Sequence, residues 1–96
     1  GQLCWFGSLN NQTQDVMFAC EKAVKLKPND RKTRNYRGLA RALIGNYQGA
    51  IEDFQVLVES REYEYKKAKL EGWIETLKKG ENPFNSEVLE ELKNNR

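Results

Sequence analysis

The sequence contains no histidine, only two cysteines and only two prolines among its 96 residues. Without histidine the chain lacks the commonest general base and a common metal-binding side chain, and two cysteines alone do not complete a zinc site. It also lacks a P-loop and a glycine-rich dinucleotide-binding motif. We therefore expect no catalytic residue, no metal and no cofactor, and we interpret the chain as a protein that is not an enzyme.

Long apolar runs and an excess of one charge are also missing. No apolar run approaches the ~20 residues that cross a bilayer. The net charge is +2 with 14 acidic residues, which gives no general attraction for nucleic acid or for an anionic membrane. A single cysteine pair is not a disulfide framework, so we expect Cys4 and Cys20 to be free thiols. These features predict a cytoplasmic protein that binds neither nucleic acid nor membrane.

A period of 34 residues runs through the chain. Two sets of large apolar residues recur at this interval: Trp5, Leu39 and Trp73, and then Leu9, Leu43 and Leu77. This period is typical of helix-turn-helix repeats, which bury their apolar faces only by stacking on neighbouring copies.

Apolar spacing and punctuation predict six helices and no strand. Residues suited to cap a helix at its start precede four of the segments: Thr13, Asp30, Asn46 and Ser86. Gly45 and Gly80 follow the third and fifth helices, where a left-handed residue commonly ends a helix. The apolar face of the fourth helix consists of Ala50, Phe54, Leu57 and Val58. That of the fifth helix consists of Leu70, Trp73, Ile74 and Leu77. The predicted fold is all-α, with six helices in three antiparallel hairpins.

A motif of small and aromatic residues lies in the middle of the chain. Gly38 precedes Ala50 by 12 residues, Phe54 follows Ala50 four residues later, and the segment 45–47 reads Gly-Asn-Tyr. This arrangement resembles the tetratricopeptide repeat (TPR) family. The resemblance implies a TPR-like superhelical stack in one domain, with these units: a truncated repeat over 1–29, a full repeat over 30–62 and a divergent capping unit over 63–96.

A narrower resemblance rests on the segments 37–43, 49–54 and 72–84. They are similar to the C-terminal TPR tails of large bacterial proteins, cyanobacterial ones especially. This resemblance implies that the chain is an accessory domain of a larger protein.

The family resemblance also implies a site. It places both recurring apolar columns on the inner helices, facing a concave groove that would dock a peptide or a helix: Trp5, Leu9, Leu39, Leu43, Trp73 and Leu77. Large aromatics at helical spacing are more often core residues, so burial of both tryptophans stays open as an alternative. The expected function is a protein–protein interaction module. The alternative is structural capping, or homotypic or intramolecular docking, with no separate ligand.

Arginines form a second cluster on the third helix. Arg34, Arg37 and Arg41 share one face because they are three and then four residues apart. We favour ion pairs with the next helix, with Arg37 on Asp53 or Glu52, over a site for an anionic partner. In that second interpretation the candidate contacts are Lys32, Arg34 and Arg41.

Overall fold

The computed structural model describes residues 2–94, and within that range the fold is all-α with no strand. The elements are α1 (Gln2–Leu9), α2 (Thr13–Leu26), α3 (Arg31–Leu43), α4 (Tyr47–Val58), a 3-10 helix (Arg61–Lys66), α5 (Lys67–Lys78) and α6 (Ser86–Asn94). The six predicted α-helices are confirmed, whereas the 3-10 helix was not predicted. None of the described helices combines the length and the apolar character needed to cross a bilayer.

Four predicted helix boundaries have the expected local chemistry. The side chains of Asp30 and Asn46 each accept a hydrogen bond from a backbone N–H in the first turn of α3 and α4. Gly45 and Gly80 follow α3 and α5 with φ of 89° and 82°. This left-handed conformation is accessible to glycine without steric cost, so both helices end where the sequence indicates.

Two predicted caps are wrong. The residue before α2 is Gln12, whose side chain makes no capping bond, and Thr13 is already helical. At α6 the cap lies one residue earlier than predicted, because Asn85, not Ser86, accepts a hydrogen bond from the Val88 N–H at 2.9 Å. Asparagine is at least as good a cap as serine, so the earlier residue fixes the start of the helix.

Helices α3 and α4 make an extensive contact, and Gly38 lies at it. A β-carbon at Gly38 would lie 2.8 Å from Cε1 of Phe54, so only glycine allows this approach. Phe54 is fully buried. Its ring centroid lies 5.6 Å from that of Trp73 and 5.9 Å from that of Phe84, and these three rings form the aromatic centre of the core.

A disulfide joins α1 to α2, so the prediction of free thiols is wrong. Cys4 and Cys20 are bonded and almost wholly buried, with their Cα atoms 4.9 Å apart. The absence of a side chain at Gly7 allows α1 and α2 to approach this closely, because a β-carbon there would lie 2.6 Å from Cγ1 of Val16. The two helices are therefore in close contact beside the cysteines. The predicted cytoplasmic location drew on reduced thiols and stays an untested prediction.

The third predicted hairpin does not form. The backbone of α6 packs against α1 rather than alongside α5. The connection between α5 and α6 carries Phe84 into the core, where its ring centroid lies 4.8 Å from that of Trp73. Phe84 thus anchors the connection in the core, and the described chain measures 29 × 29 × 26 Å. The helices therefore pack around a main core, and a second, smaller cluster contains the disulfide.

Candidate functional site

The predicted apolar groove is not an open surface. Leu9, Leu39, Trp73 and Leu77 are buried in the main core, so their prediction as exposed contacts for a partner is wrong. Trp5 and Leu43 are half-buried and pack against the same core. The exposed fraction of Trp73 is only 8 %, so of the two alternatives that the sequence left open for this residue, burial in the core is correct.

Helix α6 explains why this face is closed. Its apolar residues Val88, Leu89 and Leu92 are half-buried and pack against the core. The space bounded in part by Trp5, Leu39, Trp73 and Leu92 has no volume that a water molecule could occupy. The recurring apolar columns therefore hold the helices together, because burial of large aromatic and aliphatic surfaces is the main stabilising contribution to a small core.

The arginine cluster surrounds one buried carboxylate, as the favoured interpretation predicted. Asp53 is fully buried and accepts two hydrogen bonds of 2.9 Å from Arg37. Arg34 and Arg41 approach the same carboxylate at 3.3 and 3.4 Å. The hydrogen bond to Asp53 raises the pKa of Arg37. Arg34 and Arg41 therefore also pair with Asp53, and their role as contacts for an anionic partner stays an untested prediction.

A cleft of about 640 Å³ opens beside this closed face, and we call it the lysine–tyrosine cleft. It is formed by α1, α3, the 3-10 helix, the start of α5 and the end of α6. Its lining residues are Trp5, Phe6, Lys32, Asn35, Tyr36, Tyr63, Tyr65, Lys66, Lys69 and Leu92. Of the residues predicted to bind a partner, Trp5 and Lys32 lie here. The volume is within the range of ligand-binding clefts.

Aromatic rings form the walls of the cleft. The ring centroids of Trp5 and Tyr36 lie 4.9 Å apart, and those of Tyr63 and Tyr65 lie 6.3 Å apart in a stacked arrangement. Tyr63 is buried, whereas 83 % of Tyr65 is exposed. Burial raises the pKa of Tyr63 to about 12, so its hydroxyl stays protonated near neutral pH. The walls therefore combine apolar contact area with neutral hydroxyl groups.

The charge on the cleft is all of one sign, since its lining contains three lysines and no acidic residue. Lys66 lies 5.5 Å from the centroid of the Trp73 ring, a cation–π distance. Burial lowers the pKa of Lys66, and the nearby ammonium of Lys69 lowers it further. Within the described residues neither Lys32 nor Lys66 makes an ion pair, whereas Lys69 pairs with Glu91 of α6 at 3.5 Å.

Sequence reasoning missed most of this cleft. Tyr36, Tyr63, Tyr65, Lys66 and Lys69 were not predicted as site residues. One signal was available: the stretch 61–66 alternates charged residues with two tyrosines, without the apolar spacing of a core helix. Tyrosine is enriched at interfaces and connections between helices often carry binding residues, so this stretch could have indicated Tyr65, although Tyr63 belongs to the core.

Comparison of the chain with protein-family models, with curated proteins and with solved structures gave no match. The site is therefore interpreted from its own residues and geometry.

Proposed function

We propose that this chain is a protein–protein interaction module of the TPR type, an accessory domain of a larger protein, and that it docks a segment of another protein in the lysine–tyrosine cleft. The proposal keeps the class of function that the sequence suggests and moves the site. The observation that carries it is the cleft itself, an open space with aromatic walls beside the main core.

The residue types in the cleft support binding of a protein segment. Tyrosine and tryptophan are enriched at interfaces because a rigid ring offers a large contact area with few rotatable bonds. The cleft contains three tyrosines and Trp5, and Tyr65 projects from the wall with most of its surface in solvent. A ring this exposed contributes little to the core and is accessible to a partner at the rim of the cleft.

The TPR type is supported by two contacts in the middle repeat. Gly38 lies against Phe54 at the contact of α3 with α4, and both residues belong to the family motif. Arg37 makes a two-point pair with Asp53, which joins the same two helices. Both contacts fall within the predicted full repeat, residues 30–62.

Selection from a random peptide library displayed on phage tests the proposal, with the wild-type domain as target. Tyr65→Ser removes an exposed ring from the cleft. Phe18→Ser is the matched control, since Phe18 is 68 % exposed on α2 and does not line the cleft. We expect the wild type and Phe18→Ser to bind the selected peptides equally, and Tyr65→Ser to bind about tenfold more weakly or worse, as for an interface aromatic.

Two results would contradict the proposal. One is equal loss of binding by the two variants, which would show that exposed aromatics anywhere on the domain retain peptides. The other is failure of the wild type to select any peptide family. Circular dichroism of each variant checks that the helices are retained, which we expect because both side chains are largely outside the core.

A second candidate function is intramolecular docking with no separate ligand, and the position of α6 favours it. Val88, Leu89 and Leu92 already cover the face that the sequence predicts as a groove. On this hypothesis the domain exists to hold its own C-terminal helix. It predicts that the wild type selects no peptide, and that Leu89→Asp lowers the unfolding free energy by detaching α6.

A further inference from the structure

We propose that the lysine–tyrosine cleft takes its partner in the polyproline II conformation, so that the docked segment is a proline-rich stretch of another protein. This inference rests on the proposed function, because it specifies the backbone conformation and the residue type of the segment. Two features of the cleft carry it: the arrangement of the aromatic rings and the balance of hydrogen-bonding groups.

Two pairs of aromatic rings line the cleft from separate elements. The ring of Trp5 on α1 lies 4.9 Å from that of Tyr36 on α3, measured between centroids. The rings of Tyr63 and Tyr65 on the 3-10 helix stack with an angle of 20° between their planes. Both pairs border the same open space. Grooves lined by aromatic rings bind polyproline II helices, because the proline rings pack against the aromatic faces.

The hydrogen-bonding groups of the cleft are mostly donors. Its three lysines and the indole N–H of Trp5 can only donate, and no Asp or Glu lines the space. The tyrosine hydroxyls also donate, and burial raises the pKa of Tyr63 to about 12, which keeps that hydroxyl protonated near neutral pH. Neither the indole N–H nor any of these hydroxyls makes a hydrogen bond within residues 2–94. The cleft therefore suits a ligand with many acceptors and few donors.

A proline-rich backbone has this balance of groups. Each proline lacks the backbone N–H donor and keeps the carbonyl acceptor. Polyproline II has no internal hydrogen bonds, so its carbonyls are free to accept from the donors of the cleft. An α-helix would satisfy most of its carbonyls internally, and an ordinary extended peptide would bring N–H donors that meet few acceptors here. A polyproline II segment is also stiff before it binds, which lowers the entropic cost of docking.

An uncharged proline oligomer tests the inference. A peptide of about ten L-prolines, acetylated and amidated at its ends, adopts polyproline II. The matched control is the same peptide made of D-proline, which has the same composition and acceptors but forms the mirror-image helix. NMR of the 15N-labelled domain follows two indole N–H signals, that of Trp5 in the cleft and that of Trp73 in the core. We expect the L-peptide to shift the Trp5 signal in a saturable way and the Trp73 signal much less, and the D-peptide to shift neither.

Two variants test whether the L-peptide binds in the cleft. Tyr65→Ser should weaken its binding about tenfold or more, the loss expected for an interface aromatic. Phe18→Ser, at an exposed ring outside the cleft, should leave the binding unchanged. Equal shifts with the two enantiomers, equal effects of the two variants, or no saturable shift of Trp5 with the L-peptide would each refute the inference.

The peptides selected by the wild-type domain distinguish this inference from the proposed function. We expect proline to recur at fixed positions of the selected sequences. A selected family without recurring proline would overturn the polyproline II segment and leave the proposed function intact. If no peptide is selected and the L-peptide does not bind, both the inference and the proposed function fail.

Discussion

Gly38 and Gly72 offer a sharp test of the packing, because they lie one 34-residue period apart in α3 and α5 but have different surroundings. Inside a helix, alanine is more stable than glycine by about 0.5–1 kcal/mol. A β-carbon at Gly72 meets no atom within 4 Å. We therefore expect Gly72→Ala to raise the unfolding free energy by about that amount.

At Gly38 the same substitution should have the opposite sign. The new β-carbon would lie 2.8, 3.0 and 3.1 Å from three ring atoms of Phe54. That ring is fully buried and contacts Trp73 and Phe84, so it has little freedom to shift. Overpacking costs about 1–3 kcal/mol, which exceeds the gain in helix propensity and leaves a net loss of about 1–2 kcal/mol.

Urea denaturation followed by circular dichroism measures both variants against the wild type. The expected order of stability is Gly72→Ala, then wild type, then Gly38→Ala. If Gly38→Ala were as stable as Gly72→Ala, the close crossing of α3 and α4 at Phe54 would be wrong.

Three further predictions concern buried charge and titration. Asp53→Ala should lower the unfolding free energy by about 3 kcal/mol, because three arginines lose their shared carboxylate. The control is Glu52→Ala at the exposed neighbouring residue, which should change the unfolding free energy by less than about 0.5 kcal/mol. Equal effects of the two substitutions in denaturant titrations would refute this prediction. Burial raises the pKa of Tyr63 to about 12 from its ordinary value of 10.0, so the contribution of the protonated hydroxyl to stability is complete below pH 10.0 and is lost as the pH rises towards 12. The unfolding free energy of the wild type should therefore fall over this pH range, and that of Tyr63→Phe should fall less. Identical pH profiles of the two proteins would contradict the burial of Tyr63. Lys66→Met keeps the apolar stem and removes a half-buried ammonium, so the unfolding free energy should stay the same or rise. A loss above about 1 kcal/mol would mean that the contact of the ammonium with the Trp73 ring outweighs the cost of its desolvation.

Features that depend on local chemistry were predictable from the sequence. Asp30 and Asn46 cap the helices that follow them, and Gly45 adopts the left-handed conformation, because each depends on a few neighbouring residues. The pairing of Arg37 with Asp53 was also predictable, since the TPR resemblance places the two residues on facing helices.

Features that depend on how separate segments meet were not predictable. The burial of the recurring apolar columns depends on where α6 packs, and that depends on Phe84 entering the core. The disulfide requires the exact approach of α1 to α2, which the 16-residue separation of Cys4 and Cys20 does not reveal. The lysine–tyrosine cleft draws its lining from five elements, and its lysines resemble ordinary surface residues in the sequence.

The central claim is that a protein segment docks in the lysine–tyrosine cleft, and NMR mapping of a selected peptide onto the 15N-labelled domain tests it most directly. The account predicts that the largest backbone amide shifts cluster at Lys32, Asn35, Tyr36, Tyr63, Tyr65 and Lys66, with little change around Phe18 on α2. Shifts centred on α2, or on α6 together with the core residues beneath it, would show that the segment binds elsewhere and would contradict the account.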